Sequence, residues 1–265
     1  MTLSDRIAAL CGAEVTSTRP LHGGDLSEVY LCQTPQGPVV AKAGAQVSTE
    51  ARMLRVMAKA GAPVPQVLGA TSGLLVLEYL PDSPATDQSW SDLGQALRHL
   101  HRSGTSPYGW DMDYAFGAVE IPNAPHSSWP EFWAENRLRP SLASLPKDTA
   151  TRLERLADDL PNRLPEAPWP GLLHGDLWHG NLQFSRNGAY LIDPACYMGD
   201  GEVDLAMLHL FGSPAPAFSD AYGALAEGWQ DRRAIYQLWP ALVHYRLFGA
   251  SYHAMVIGIL QRLGV

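Results

Sequence analysis

The sequence predicts an α+β chain of two lobes, a small β-rich lobe over residues 1–80 and a larger helical lobe over 81–265. Three observations predict it. Short aliphatic runs bounded by turn residues fill the first third of the chain. A Pro/Ser/Asp cluster from Pro81 to Ala85 closes that tract. Beyond it the apolar spacing turns helical, broken by a loop-rich stretch from Ser103 to Pro130 and a proline cluster from Pro161 to Pro170.

The elements follow in order. Leu3, Ile7, Leu10 and Cys11 recur at helical spacing, with Ser4 as the expected cap and Gly12 as the stop. Val29 and Leu31, then Val39 and Val40, predict two strands joined by a turn at Thr34-Pro35-Gln36-Gly37. Ser48 and Thr49 are expected to cap a helix that runs to about Lys59 and closes at Gly61. Ala62-Pro63-Val64-Pro65 is a stiff connector, and two more strands follow at Val67-Leu68 and Leu74 to Leu80. The apolar stretch from Leu238 to Leu260 is interrupted by His244, Arg246 and His253, which suits a buried helix pair rather than a membrane span.

Composition narrows the function classes. Of 265 residues, 46% are hydrophobic and 17% charged, an ordinary globular balance. The net charge of −8 argues against a broad nucleic-acid or acidic-membrane footprint, while leaving room for a local phosphate site. Cys11, Cys32 and Cys196 are too few and too scattered for a disulfide framework or a zinc site. The N-terminal residues lack a signal-peptide pattern, so a cytoplasmic setting is expected. A monomer is the expected state of so compact a chain.

The chemistry concentrates in Leu172-Leu173-His174-Gly175-Asp176-Leu177-Trp178-His179-Gly180-Asn181, followed by Tyr190-Leu191-Ile192-Asp193. Phosphoryl transfer needs a carboxylate to orient and deprotonate the attacking hydroxyl, and an amide and a second carboxylate to hold Mg²⁺ on the nucleotide phosphates. Asp176, Asn181 and Asp193 are that set. The five-residue step from Asp176 to Asn181 matches the kinase catalytic loop, with His-Gly-Asp in place of His-Arg-Asp. Arg186-Asn187-Gly188 would turn the hairpin between Asn181 and Asp193. Taken singly, Asp176 and Asn181 could cap turns and His174 could be a core histidine; the ordered set favours catalysis. Pro194 is expected to restrict Asp193 to extended backbone.

The smaller lobe should supply the phosphate-positioning groups of an ATP site. Lys42 ends the strand Pro38-Val39-Val40-Ala41-Lys42. Glu50 begins the apolar stripe of the next helix, with Met53, Leu54 and Met57 three, four and seven residues on. A charge on a buried stripe needs a partner, and Lys42 is the natural one, with a surface salt bridge as the alternative. His22-Gly23-Gly24-Asp25-Leu26-Ser27 sits where a phosphate-covering turn belongs, so Gly23 and Gly24 are candidate nucleotide contacts. Glu78-Tyr79-Leu80 is the candidate adenine hinge, through the backbone of Glu78 and Leu80. Asp204 is expected to brace the catalytic loop or to cap a helix, and His174 to support it. Trp178, His179, Asp200 and Glu202 are the candidate acceptor residues.

These motifs resemble the fructosamine kinase (ketosamine 3-kinase) family, within the aminoglycoside-phosphotransferase and choline-kinase-like superfamily. The resemblance rests on His-Gly-Asp-Leu-Trp-His-Gly-Asn at 174–181, Leu-Ile-Asp-Pro-Ala at 191–195, Gly-Asp-Gly-Glu-Val-Asp-Leu-Ala-Met at 199–207 and Phe-Trp-Ala-Glu-Asn-Arg-Leu at 132–138. It implies a protein-kinase-like fold and ATP- and Mg²⁺-dependent phosphorylation of a sugar hydroxyl on a ketosamine, in support of deglycation. By motif position, Asp176 would be the base, Asn181 and Asp193 the metal ligands, and Lys42 with Glu50 the phosphate-positioning pair. Asp25, where some relatives carry a cysteine, removes the expectation of redox control in the glycine loop. Two alternatives stand beside this reading: a kinase for another hydroxyl acceptor, such as an aminoglycoside, an amino alcohol or a sugar, and a nucleotide-binding pseudokinase scaffold.

Overall fold

In the computed structural model the described residues are 2–21 and 27–265. The first lobe contains α1 (Leu3–Cys11), β1 (Ser17–Pro20), β2 (Glu28–Gln33), β3 (Val39–Ala43), α2 (Val47–Lys59), β4 (Val67–Thr71) and β5 (Leu74–Glu78). Its strands form one antiparallel sheet in the order β1-β2-β3-β5-β4.

Both faces of this sheet are covered at β5, whose residues therefore form an unbroken apolar run. Leu74 and Val76 pack with Ile7 of α1, while Leu75 and Leu77 pack with Val47, Ala51 and Leu54 of α2. Alternating side chains thus serve two helices. The helix caps differ from expectation. Thr2, not Ser4, caps α1, its hydroxyl accepting from Asp5 N at 3.2 Å while Asp5 Oδ2 accepts from Thr2 N at 2.7 Å. Ser48 and Thr49 lie inside the first turn of α2, whose cap position is Gln46. β1 carries no apolar alternation and is exposed throughout. Only its backbone pairing with β2 makes it a strand.

The second part holds α3 (Asp87–Leu100), β6 (Tyr114–Phe116), β7 (Val119–Ile121), α4 (Trp129–Trp133), α5 (Lys147–Arg163), β8 (Pro170–Leu173), β9 (Leu182–Ser185), β10 (Gly188–Leu191), β11 (Tyr197–Asp200), α6 (Glu202–Leu208), α7 (Pro216–Tyr222), α8 (Trp229–Phe248) and α9 (His253–Arg262). Three two-stranded ladders, β6–β7, β9–β10 and β8–β11, are set among the helices. Pro161 lies within the last turn of α5 rather than in a linker. One core joins Trp129, Trp133, Tyr236 and Trp239 with α5 and α9. A second joins Met53 and Met57 of α2 to α3, Leu177, Leu191 and Leu205. The helix that bears Glu50 is therefore seated on the larger lobe as well as on its own sheet. Among the described residues no helix is long and apolar enough to cross a membrane.

Candidate active site

The cleft between the sheet and the helical part has a volume of about 830 Å³, and Lys42, Glu50, Asp176, Asn181 and Asp193 all line it. Lys42 lies on β3, opposite Val29 and Leu75 in the register. Its Nζ donates to Glu50 Oε1 at 2.8 Å and also meets the Asp193 carboxylate. Lys42 and Glu50 are buried, so the two charges stabilise each other where neither would stand alone. The alternative of a surface salt bridge is thereby removed.

The loop that carries Asp176, the candidate catalytic loop, leaves β8 at His174 and is held by the Asp204 carboxylate and by the His174 ring. Asp204 Oδ2 accepts from His174 N at 2.7 Å, and Oδ1 accepts from Gly175 N at 2.9 Å. Burial pushes the Asp204 carboxyl up, but the hydrogen bond and charge of His101, with the Gly175 amide, hold it below the ordinary value. His174 is fully buried. Its Nδ1 accepts from Asp176 N at 3.2 Å, so its Nε2 carries the proton donated to Ile192 O at 2.9 Å. Burial also lowers its pKa, which keeps the ring neutral in this role. His174 therefore ties the loop of Asp176 to the strand end that carries Asp193. Asp204, in the first turn of α6, braces the loop and caps no turn of its own.

Asp176 is half-buried, and burial pushes its carboxyl up to about 7, opposed by a hydrogen bond from Asn181. Asn181 Nδ2 donates to Asp176 O at 2.7 Å and to Asp176 Oδ2 at 2.8 Å. That fixes the carboxylate rotamer and turns Asn181 Oδ1 the other way. Asn181 Oδ1 and the Asp193 carboxylate are hard oxygen donors of the kind Mg²⁺ takes. Among the described residues no group of three or more His, Cys, Asp or Glu forms an all-protein cage. Two side chains with phosphates and waters completing the shell are what a nucleotide-borne Mg²⁺ requires, so the donor set fits that ion.

Asp193 departs from the extended conformation expected before Pro194: its φ is 55°, in the left-handed region. The residues around it are pinned to the catalytic loop, Ile192 N donating to Asn181 O at 3.1 Å and Ala195 N to His174 O at 2.8 Å. The chain reverses between those two anchors, and aspartate is among the few residues that tolerate the left-handed turn. Gly175 answers the same constraint from the other side. Its φ is 81°, and a Cβ there would lie 2.0 Å from Ala195 O. Gly175→Ala is expected to lose more than the roughly 1–3 kcal/mol of left-handed strain alone, seen as a lower midpoint in chemical unfolding. An unchanged midpoint would show that the loop relaxes freely.

The candidate acceptor residues separate. Trp178 is 40% exposed and lines the cleft beside Asp176. Its ring covers Gly180, where a Cβ would meet it at 2.2 Å. His179 is directed away, packing edge-on against Trp90 at 5.7 Å. Asp200 and Glu202 also lie off the cleft. β11 runs antiparallel to β8, with Tyr197 opposite Leu173 at the catalytic end and Asp200 opposite Pro170 at the far end. There Asp200 Oδ2 accepts from Tyr236 OH at 2.8 Å, and Glu202 pairs with Arg232 at 2.6 and 2.7 Å.

Glu78, Tyr79 and Leu80 line the cleft beyond Lys42, and Leu80 N has no hydrogen-bond partner among the described residues. Gly23 and Gly24 lie outside the described residues. Residues not expected from sequence complete the walls: Tyr114 and Phe116 of the β6–β7 hairpin, and Trp239, Val243, His244 and Phe248 of α8. Their only signal was the polar interruption of the Leu238–Leu260 stretch at His244. His101, which holds Asp204, gave none.

Known proteins are similar to this chain in sequence and fold. A family model for fructosamine kinase matches residues 2–264. A Vibrio cholerae protein named "Probable ketoamine kinase" is 35% identical over 254 residues, covering 88% of this chain and 87% of its own. The crystal structure of a "putative fructosamine-3-kinase" from Thermobifida fusca superimposes with a TM-score of 0.92 at 33% identity, covering 99% of this chain and 98% of that one. A macrolide 2'-phosphotransferase from Brachybacterium faecium, at 18% identity and a TM-score of 0.64, shares the fold.

Proposed function

The chain belongs to the fructosamine kinase family, and from that premise we propose that it phosphorylates a sugar hydroxyl of a ketosamine, a fructosamine or ribulosamine, using ATP and Mg²⁺. The observation that carries this reading is the Asp176–Asn181 pair facing Lys42, Glu50 and Asp193 across one cleft. Asp176 accepts the proton of the acceptor hydroxyl as its oxygen bonds to the γ-phosphorus and the bond to the β-phosphate oxygen breaks, releasing ADP. Asn181 keeps the carboxylate aimed through its Nδ2. Lys42, steadied by Glu50, holds the phosphates, and the backbone at Glu78 and Leu80 reads the adenine edge. Asn181 and Asp193 would hold a Mg²⁺, which would supply neutralisation of the phosphate charge. The phosphorylated ketosamine then releases its amine, which gives the reaction its deglycating role.

The acceptor wall supports the choice of acceptor. Tyr114, Phe116, Trp178, Val243 and Phe248 offer aromatic and aliphatic surface without a carboxylate of their own, which weighs against a polycationic aminoglycoside. Trp178 stands where it can stack on a sugar ring beside Asp176. The complete set of five polar side chains weighs against a pseudokinase.

ADP release should be measured with ATP and Mg²⁺ against fructosamines, ribulosamines, aminoglycosides and choline. Turnover on a ketosamine is expected. Turnover on another acceptor alone would keep the kinase and discard the deglycating role, and nucleotide binding without any turnover would favour the scaffold.

A further inference from the structure

A second cavity, of about 770 Å³, opens on the far side of the catalytic loop, away from the cleft. Trp169 stands at its edge, 69% exposed, the most exposed large hydrophobic side chain among the described residues. Arg98 and Arg102 enter the same wall. Among the described residues neither forms an ion pair with a carboxylate. Arg98 Nη1 donates only to the carbonyl of Tyr222, at 2.6 Å. The cavity's own acids are otherwise engaged: Glu202 is taken up by Arg232, and Asp200 is buried under Tyr236. Glu227 remains exposed at the rim.

We propose that this cavity is a binding site for a ring-bearing phosphate monoester of the sugar-phosphate class. Two guanidiniums without a carboxylate partner suit a phosphate dianion, which they can grip through paired N–H donors. An exposed indole offers a face on which a pyranose or furanose ring lies flat. Glu227, in the same wall, can accept hydrogen bonds from the sugar hydroxyls. The proposal is independent of which acceptor is phosphorylated in the cleft.

The cavity also touches the brace of the catalytic loop. Tyr222 OH, in the cavity wall, bonds His101 Nδ1 at 2.9 Å, and His101 Nε2 bonds Asp204 Oδ2 at 3.0 Å. Asp204 in turn holds the amides of His174 and Gly175. His101 has no slack: a Cβ on Gly201 would meet its ring at 2.7 Å, and one on Gly171 its carbonyl at 2.5 Å. A ligand that moves Tyr222 therefore moves the loop, and occupancy of the cavity is coupled to turnover.

The test is calorimetric titration of fructose 6-phosphate into the full-length protein saturated with AMP-PNP, which fills the nucleotide side of the cleft, so that loss of binding in variants of the second cavity separates the two sites. One saturable site is expected, weakened at least tenfold in both Trp169→Ala and Arg102→Glu, two exposed positions outside the fold's core. No saturable heat, wild-type affinity in either variant, or binding of inorganic phosphate as tight as that of the sugar phosphate would each overturn the site. Saturating fructose 6-phosphate is expected to change ATP turnover at least twofold in the wild type and not in Trp169→Ala. Binding without any change in turnover would overturn the coupling.

Discussion

Replacing Asp176 by Asn is expected to reduce turnover by about 10²–10⁴-fold, the usual contribution of a positioned general base. The exchange is nearly isosteric. The Asn oxygen can still accept from Asn181 Nδ2, so the loop keeps its shape while the group that takes the proton is gone. Nucleotide affinity, which the proposed function assigns to Lys42, Glu50 and the backbone at Glu78 and Leu80, is expected to stay close to that of the wild type. Stability should not fall. Burial holds the Asp176 carboxyl near 7 against an ordinary 3.8, so its ionised form costs folding energy above pH 7 and that cost fades as pH falls toward 3.8. The variant removes the cost. Steady-state ADP release and nucleotide titration on the same preparation check both halves. Turnover within tenfold of the wild type would place the base elsewhere.

Asp204→Ala is expected to have the second-largest effect, and on stability as well as rate. The carboxylate is buried and receives the amides of His174 and Gly175 and the ring of His101. Removing it leaves three buried donors without an acceptor, and breaking such a buried network costs about 3–5 kcal/mol. The catalytic loop then loses the anchor that aims Asp176, so turnover falls even in the folded fraction. Urea unfolding followed by fluorescence measures the loss as a lower midpoint at constant slope. A loss under about 1 kcal/mol, on the scale of a single ordinary hydrogen bond, would show that Asp204 is not the brace.

Much of the site is legible because its information is local. Asp176 and Asn181 lie five residues apart on one loop, near enough in the chain for the amide to reach the carboxylate. Glu50 is legible for a similar reason: a carboxylate on the apolar stripe of a helix is inconsistent with burial unless a cation meets it, and Lys42 does. The strands β2 to β5 declare themselves by aliphatic runs and turn residues, and Leu74 to Leu77 by being apolar on both faces of the sheet.

What sequence leaves open is the direction in which a side chain leaves an irregular backbone. His179 sits two residues from Asn181 yet turns toward Trp90, and Asp200 and Glu202 stand near the catalytic motif in the chain but at the other end of β11. Neither outcome follows from spacing, because the β8–β11 register and the packing on α3 are set by residues far away in sequence. The left-handed turn at Asp193 has the same origin: hydrogen bonds on both sides of it, made to the catalytic loop, override the local preference before proline. His101 and the wall of α8 are further cases, reaching the site only through the folded chain. Residue types and short spacings thus specify the polar set of this protein, since a carboxylate with its amide and a buried ion pair are local requirements. Contacts between distant segments specify which neighbours face the cleft, since only the closed fold decides what each loop packs against.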